Sequence, residues 1–280
     1  MDRRQLLADI TRELREHQVA EPEVIAKHLI SSILDCSLSD LYVYGHERVG
    51  QRNIERLEEC VGQLIQGVPL AYVLRERYFM GLRFTITPDV LIPRQDTELV
   101  CETALEWIKR KGYQSGLDLC CGSGAIGVSL SVYGSESLQA IHGTDISQKA
   151  VELANQNGKA NGAKRFWAYQ SDLFERIEDK FDFIVSNPPY IGETEYQTLD
   201  PLVREHEPRL ALVAERDGYE FYEEIIKRAG DYLHKDGLLL FEIGYQQKDR
   251  VMELMRQQGY ADISCKQDYA GNDRVVMGFL

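Results

Sequence analysis

The sequence predicts an α/β fold: a mostly parallel sheet with helices on both faces and a closing antiparallel hairpin, preceded by a small helical bundle. Three observations predict it. Apolar residues recur at helical spacing through roughly the first seventy positions. From Gly116 onward, short apolar runs alternate with helical patterns. Two late apolar runs, around Ile263 and at Val275-Val276-Met277, form the closing pair.

Taken in order, Leu6, Leu7, Ile10 and Leu14 mark one face of a first helix. Pro22 starts a second helix through Ile25, Leu29 and Ile33. Ile54, Leu57, Val61, Leu64 and Ile65 mark a third, stopped by Gly67 and Pro69. This bundle is expected over residues 1–72. Tyr78-Phe79-Met80 and Leu82 to Ile86 flank Gly81 as a hairpin inside a connecting segment, 73–93. A main domain is expected over 94–280, with its first helix beginning near Asp96. Its strands are expected at Leu117-Asp118-Leu119, Ala140-Ile141-His142, Phe181 to Val185 and Leu238 to Ile243, with helices over 148–160 and 219–233.

Composition narrows the function classes. The 280 residues are 44% hydrophobic and 28% charged, as in a globular chain. No apolar run approaches a membrane span, and the N-terminus lacks an apolar signal core, so a cytoplasmic protein with no membrane partner is expected. The formal net charge of −13 argues against gripping nucleic acid through phosphates, and no direct nucleic-acid partner is expected. Cys36, Cys60, Cys101, Cys120, Cys121 and Cys265 contain no CxxC pair and read as reduced thiols. No histidine pattern matches a metal site, so no metal is expected.

The strongest motif is Asn187-Pro188-Pro189-Tyr190, directly after the apolar run Phe183-Ile184-Val185. Each proline locks its own φ, pushes the residue before it toward extended geometry and lacks an N–H. The result is a stiff turn offering a polar amide, backbone carbonyls and an aromatic ring at a strand end. That equipment suits holding a planar NH2 group against a methyl donor. Upstream, Asp118 to Gly127 contains a complete G-x-G-x-x-G, a weak signal alone for a nucleoside cofactor. Asp145 follows at the spacing of a ribose-binding acid, and Asp172 precedes the next strand. Singly each aspartate reads as a turn or cap; the ordered set places all of them at successive strand ends facing one cleft.

This order resembles the class I S-adenosylmethionine-dependent methyltransferases. The resemblance implies that the turn Cys120, Cys121, Gly122, Ser123 and Gly124 faces the methionine moiety, that Asp145 binds the ribose, and that Asp172 with Leu173 reads the adenine. More narrowly, Leu91-Ile92-Pro93-Arg94-Gln95-Asp96-Thr97-Glu98, the glycine turn and Asn187-Pro188-Pro189-Tyr190-Ile191 resemble three blocks of the HemK/PrmC family. Further similar blocks are Glu207 to Leu212, Gly237 to Gly244, Asp268 to Val276 and the junction Val68 to Leu74, so the resemblance covers nearly the whole chain. It implies methylation of the N5 amide nitrogen of glutamine in the Gly-Gly-Gln loop of class I peptide-chain release factors. S-adenosylmethionine would be the donor and S-adenosylhomocysteine the product; the helical bundle is best read as a docking module for a protein substrate, with a lid as the alternative. Thr97, Glu98 and Asn187 are placed near the methyl donor by the same resemblance, while Arg94 is expected there or holding the loop. Cys120 stands where glycine is common, Gln95 where proline is, and Ala71 and Arg75 where glutamine and glycine are. A small thiol at Cys120 is expected to leave binding intact.

An amide nitrogen is a poor nucleophile because its lone pair is delocalised, so alignment and charge handling are the enzyme's task. The Asn187 side-chain oxygen and the Pro188 carbonyl are expected to accept the two N–H bonds of the target amide. Asn187, Pro188 and Tyr190 are therefore the catalytic candidates. With Pro189 they form the substrate pocket, which Tyr190 walls. The same tetrapeptide serves N6-adenine methyltransferases, leaving RNA, and less so DNA, as an alternative substrate. A nicotinamide dehydrogenase would use the glycines but leave Asn187 without a role, and an inert cofactor-binding scaffold finds no support in the intact motif.

Overall fold

Asp2 caps the first helix, Arg3–Glu16, by accepting the Gln5 N–H at 2.8 Å. Pro22 opens the second, Pro22–Leu34, where its missing N–H costs nothing. The third, Gln51–Ile65, ends at Gly67, whose φ of +88° lets Gly67 and Val68 donate back to Leu64 and Gln63. The facing sides of these helices bury Leu6, Ile10, Leu14, Leu29, Ile30, Ile33, Leu57, Val61 and Leu64 around one core. Burying each such side chain contributes about 1.5–3 kcal/mol relative to exposure. In this computed structural model, which describes all residues from Met1 to Leu280, the chain divides into two compact units, Met1–Glu76 and Arg77–Leu280. Within the first, short helices Asp40–Val43 and Leu70–Leu74 complete the bundle.

The hairpin follows: β1 (Glu76–Phe79) and β2 (Leu82–Thr85) turn at Met80 and Gly81, both with positive φ. Asn157 fastens it, accepting the Thr85 N–H at 2.8 Å and donating to the Thr85 carbonyl at 3.0 Å.

The main sheet has seven strands: β3 (Ser115–Leu119), β4 (Ala140–Asp145), β5 (Phe166–Gln170), β6 (Phe181–Ser186), β7 (Leu233–Glu242), β8 (Ala261–Gln267) and β9 (Asp273–Phe279). Their spatial order is β5-β4-β3-β6-β7-β9-β8; β9 runs antiparallel to both β7 and β8, and the other pairings are parallel. This is the α/β fold the sequence predicts, closing hairpin included. Helices Glu220–Tyr232 and Lys248–Gln257 cover one face through Tyr222, Ile225, Val251 and Met255, which pack on Leu117, Ile184, Leu239 and Phe241. Helices Glu98–Lys111, Ala125–Tyr133 and Gln148–Ala160 contact the strands of the same sheet; the Trp107 and Phe279 rings meet at 4.8 Å.

Strand β5 and the helix Lys248–Gln257 are left unplaced in the sequence reading. In β5 Phe166 and Ala168 are buried and Trp167 is exposed, as suits an edge strand that turns alternate residues to the core.

Strand order reverses between β4 and β6, with β3 at the turning point. Ligands in such sheets bind outside the carboxyl ends of the strands at that point. The register brings those ends level: Leu119 pairs with Thr144 on one side and with Ser186 on the other. The Ser186 hydroxyl donates to the Leu119 carbonyl at 2.8 Å, tying the two strand ends together.

Candidate active site

A cleft enclosing about 1050 Å³ out to its open mouth lies at these strand ends. Its floor is the turn after β3. Cys120, Gly122 and Gly124 have φ of +60°, +52° and +79°, so the chain winds tightly into the helix at Ala125. At Gly122 a side chain would enter open space, which leaves the backbone free for close approach by a ligand. Gly127 serves packing instead: a Cβ there would sit 2.5 Å from the Phe166 ring. At Cys120 the backbone conformation matters as well as the size of the side chain. Its left-handed backbone is the physical reason glycine suits the site, and a cysteine there is strained by about 1–2 kcal/mol.

Three carboxylates surround the turn. Asp145 ends β4, where Oδ2 accepts the Gly122 N–H and Oδ1 the Ser147 N–H, each at 2.9 Å. Burial raises its pKa, while these backbone donors pull the other way. Each oxygen keeps a lone pair for a further donor such as a hydroxyl. Asp172, after β5, is exposed at the cleft wall. Beside it Leu173 has φ +44°, an uncommon conformation for a branched side chain. Asp118 was not singled out in the sequence. It is fully buried, its Oδ2 accepts the Gly127 N–H at 2.8 Å, and its Oδ1 has no partner. Burial pushes its pKa up to about 7.

On the other side of β3, Asn187 and Pro189 line the same cleft as Cys120, Cys121, Gly122 and Ser123. Asn187 Nδ2 donates to the buried Thr97 hydroxyl at 3.5 Å. No protein donor reaches Asn187 Oδ1 or the Pro188 carbonyl. Gln247 braces the turn from behind: its Nε2 donates to the Tyr190 carbonyl at 3.0 Å, while its Oε1 accepts from Gly244 and Tyr222.

Four expected residues lie off the cleft lining. Pro188 is buried beneath it. Gly124 packs its α-carbon against Ala154. Glu98 turns to the hairpin, accepting the Met80 N–H at 2.6 Å. Tyr190, expected as a wall, packs on the core beneath, and its phenol donates to Glu242 at 3.5 Å. Arg94 does line the cleft, and it also pairs with the buried Glu207, which accepts the Ile92 N–H at 3.3 Å. This strap holds the roof segment with Pro208, Leu210 and Ala211 over the cleft. Sequence reasoning missed the apolar lining at Val90, Ile146 and Phe221. Ile146 carried a signal, being a large apolar residue at a strand end beside an acid, where it is 48% exposed. No group of three or more His, Cys, Asp or Glu side chains could hold a metal ion, and no helix is long and apolar enough to cross a membrane.

Comparison with known proteins follows the same outline. Residues 5–74 match the PrmC N-terminal domain family, and residues 101–215 match the Methyltransferase small domain family. The release factor glutamine methyltransferase of Clostridium botulinum is 37% identical over 94% of this chain and 94% of its own length. That of Agrobacterium fabrum is 38% identical, covering 92% and 90%, and that of Fusobacterium nucleatum 36% identical, covering 94% and 75%. Among solved structures, the hMettl16 catalytic domain in complex with an RNA hairpin superimposes with a TM-score of 0.56 at 16% identity, over 81% of each chain. A methyltransferase from Pyrococcus furiosus does so with a TM-score of 0.51 at 17% identity, over 71% of this chain and 89% of its own. At these identities the two structures establish a shared fold.

Proposed function

Because the chain belongs to the release factor glutamine methyltransferase family, we propose that it methylates the N5 amide nitrogen of the Gly-Gly-Gln glutamine in class I peptide-chain release factors, with S-adenosylmethionine as donor. One observation carries this reading. A single cleft joins the open backbone cradle at Gly122 to Asn187, whose Oδ1 no protein donor uses; the carbonyl of Pro188, a buried residue next to the lining, is likewise unused.

The residues present suit the donor. Asp145 has lone pairs left for ribose hydroxyls, Asp172 and the Leu173 backbone suit the adenine, and Cys120 to Ser123 border the methionine end. When bound, S-adenosylmethionine supplies an electrophilic methyl group and leaves as S-adenosylhomocysteine. The rest is done by the chain. Asn187 Oδ1 and the Pro188 carbonyl accept the two N–H bonds of the glutamine amide and favour a lone pair localised on nitrogen. Both bonds strengthen as positive charge develops there, so they stabilise the transition state more than the ground state. The two prolines hold these acceptors rigid. The methylated nitrogen becomes acidic only after transfer, so no strong base is required.

Residues 1–72 are read as the docking domain for the release factor, 73–93 as the connector and 94–280 as the catalytic domain. Action on release factors in translation fits a cytoplasmic setting. The alternative of N6-adenine methylation of RNA is not favoured, because the relatives that match along the chain are glutamine methyltransferases and the net charge is −13.

The test supplies the protein with methyl-labelled donor and a class I release factor, beside the same factor with its Gly-Gly-Gln glutamine changed to alanine, total RNA and DNA. Label on the intact factor alone, mapped to that glutamine by peptide mass, is the expected result. Label in RNA or DNA with the factor spared overturns the reading.

A further inference from the structure

The peptide unit that leaves the Asn187 tetrapeptide, between Tyr190 and Ile191, is held at both ends. Its carbonyl accepts the Gln247 Nε2–H at 3.0 Å, and its N–H donates to the Leu212 carbonyl at 3.0 Å. Gln247 is 8% exposed and stands just ahead of the helix Lys248–Gln257. Its Oε1 accepts the Gly244 N–H at 3.0 Å and the Tyr222 hydroxyl at 3.2 Å. A backbone N–H can only donate and a carbonyl can only accept, so Gly244 and Tyr190 together fix which way this amide faces. Gly218 keeps the space for it: a Cβ there would lie 2.9 Å from Gln247 Nε2 and 2.2 Å from the Tyr190 carbonyl oxygen.

The hold reaches the cleft in two directions. Upstream, both prolines lock φ and each restricts the residue before it. A tilt of the Tyr190 carbonyl is therefore passed back toward Asn187 and Pro188, with few torsions free to absorb it. Downstream, Ile191 carries the roof: besides its bond to Leu212, its carbonyl accepts the Ala214 N–H at 3.0 Å. Leu210 and Ala211 of that segment line the cleft. One buried side chain thus sets the peptide on which acceptors and roof both depend.

We propose that Gln247 is a positioning residue for methyl transfer, holding the Tyr190–Ile191 peptide so that Asn187 Oδ1 and the Pro188 carbonyl meet the substrate amide. The proposal rests on the reading of those two groups as the amide acceptors. Gln247 does not line the cleft and touches no reacting atom. Its effect falls on alignment, where a misplacement of about 1 Å costs about 100-fold in rate. The cradle around Gly122 and Asp145 shares none of its hydrogen bonds, so donor binding is spared.

The experiment measures single-turnover rate, KM for the release factor, donor affinity by calorimetry and melting temperature for Gln247→Met and Gln247→Glu. Each change is also made in an Asn187→Ala background. Gln247→Met keeps the length of the side chain and removes its amide. Gln247→Glu keeps an acceptor for Gly244 and Tyr222 but, ionised, turns a second oxygen on the Tyr190 carbonyl. Either is expected to lower the rate about 10- to 50-fold while KM and donor affinity stay within about 2- to 3-fold. In the Asn187→Ala background the same change is expected to cost only about 2- to 5-fold, since one of the acceptors it positions is already gone. Both also lower the melting temperature, because buried polar groups lose partners. A merely structural role would stop there, or reduce donor affinity and rate together. A wild-type rate in Gln247→Met overturns the proposal, as does a parallel fall in donor affinity or a loss that multiplies in full with Asn187→Ala. Should Gln247→Met fail to fold by thermal melt, Gln247→Glu decides: a wild-type rate at alkaline pH, where the carboxyl is ionised, refutes the proposal. Wild-type protein that leaves the release factor unlabelled overturns the functional reading beneath it, a different result from a competent wild type with an indifferent Gln247→Met.

Discussion

The turns after β3 and β6 stand side by side at the switch point, and they are built on opposite principles. The turn after β3 owes its shape to conformational freedom, winding through positive φ at Cys120, Gly122 and Gly124. The turn after β6 owes its shape to restraint, with two proline rings in sequence and side-chain braces from Thr97 and Gln247. The difference matches the two tasks proposed for them. A ligand with many polar atoms is held by a backbone that bends close to it, whereas one small planar group has to meet two acceptors that do not move.

The sharpest break falls on the restrained side. Asn187→Ala removes the acceptor proposed to meet the charge that develops in the transition state. It is expected to cost about 10²–10³-fold in kcat, with donor affinity nearly unchanged, as single-turnover rates and calorimetry would read. Equal loss of both would shift Asn187 to the donor's side of the comparison.

A smaller break comes from behind the same turn. At Gly218, φ is +89° and a Cβ would lie 2.2 Å from the Tyr190 carbonyl oxygen. Gly218→Ala is expected to lower stability by about 1–3 kcal/mol in denaturant unfolding. Its residual activity should show a kcat defect without a donor-binding defect.

The mildest change sharpens the free side. Cys120→Gly relieves left-handed strain but loosens the unfolded chain, so stability is expected to stay within about 1 kcal/mol of wild type and kcat to be unchanged. Cys120→Val, β-branched at the same φ, should lose about 2 kcal/mol in the same unfolding assay.

Legibility in the sequence follows the same division. The glycine turn, Asp145 and the Asn187 tetrapeptide could be read locally, because each announces itself by residue type and by position after an apolar run; Asp172 was legible only as a member of the ordered set. The register that brings Leu119, Thr144 and Ser186 level lies in backbone pairing and has no local signature. Positive φ at Cys120 was invisible for the same reason. Glu242 was read only as part of a strand, since its partner Tyr190 is far away along the chain and meets it only after folding. Glu98 shows the converse: it stands beside Thr97 in sequence, yet its side chain turns to Met80 in the hairpin. Neighbouring positions at a helix start point in different directions, which spacing alone does not resolve.

The cysteines of the glycine turn carry a consequence of their own. S-adenosylmethionine is an alkylating agent, and sulfur is the side-chain atom most readily alkylated. Only the thiolate is a competent nucleophile. Burial drives the pKa of both Cys120 and Cys121 far up, with the charge of Asp145 or Asp118 adding to it, so both sulfurs keep their protons at neutral pH. On the proposed reading, the acidic, apolar surroundings that suit a cationic donor would also protect the protein from methylating itself.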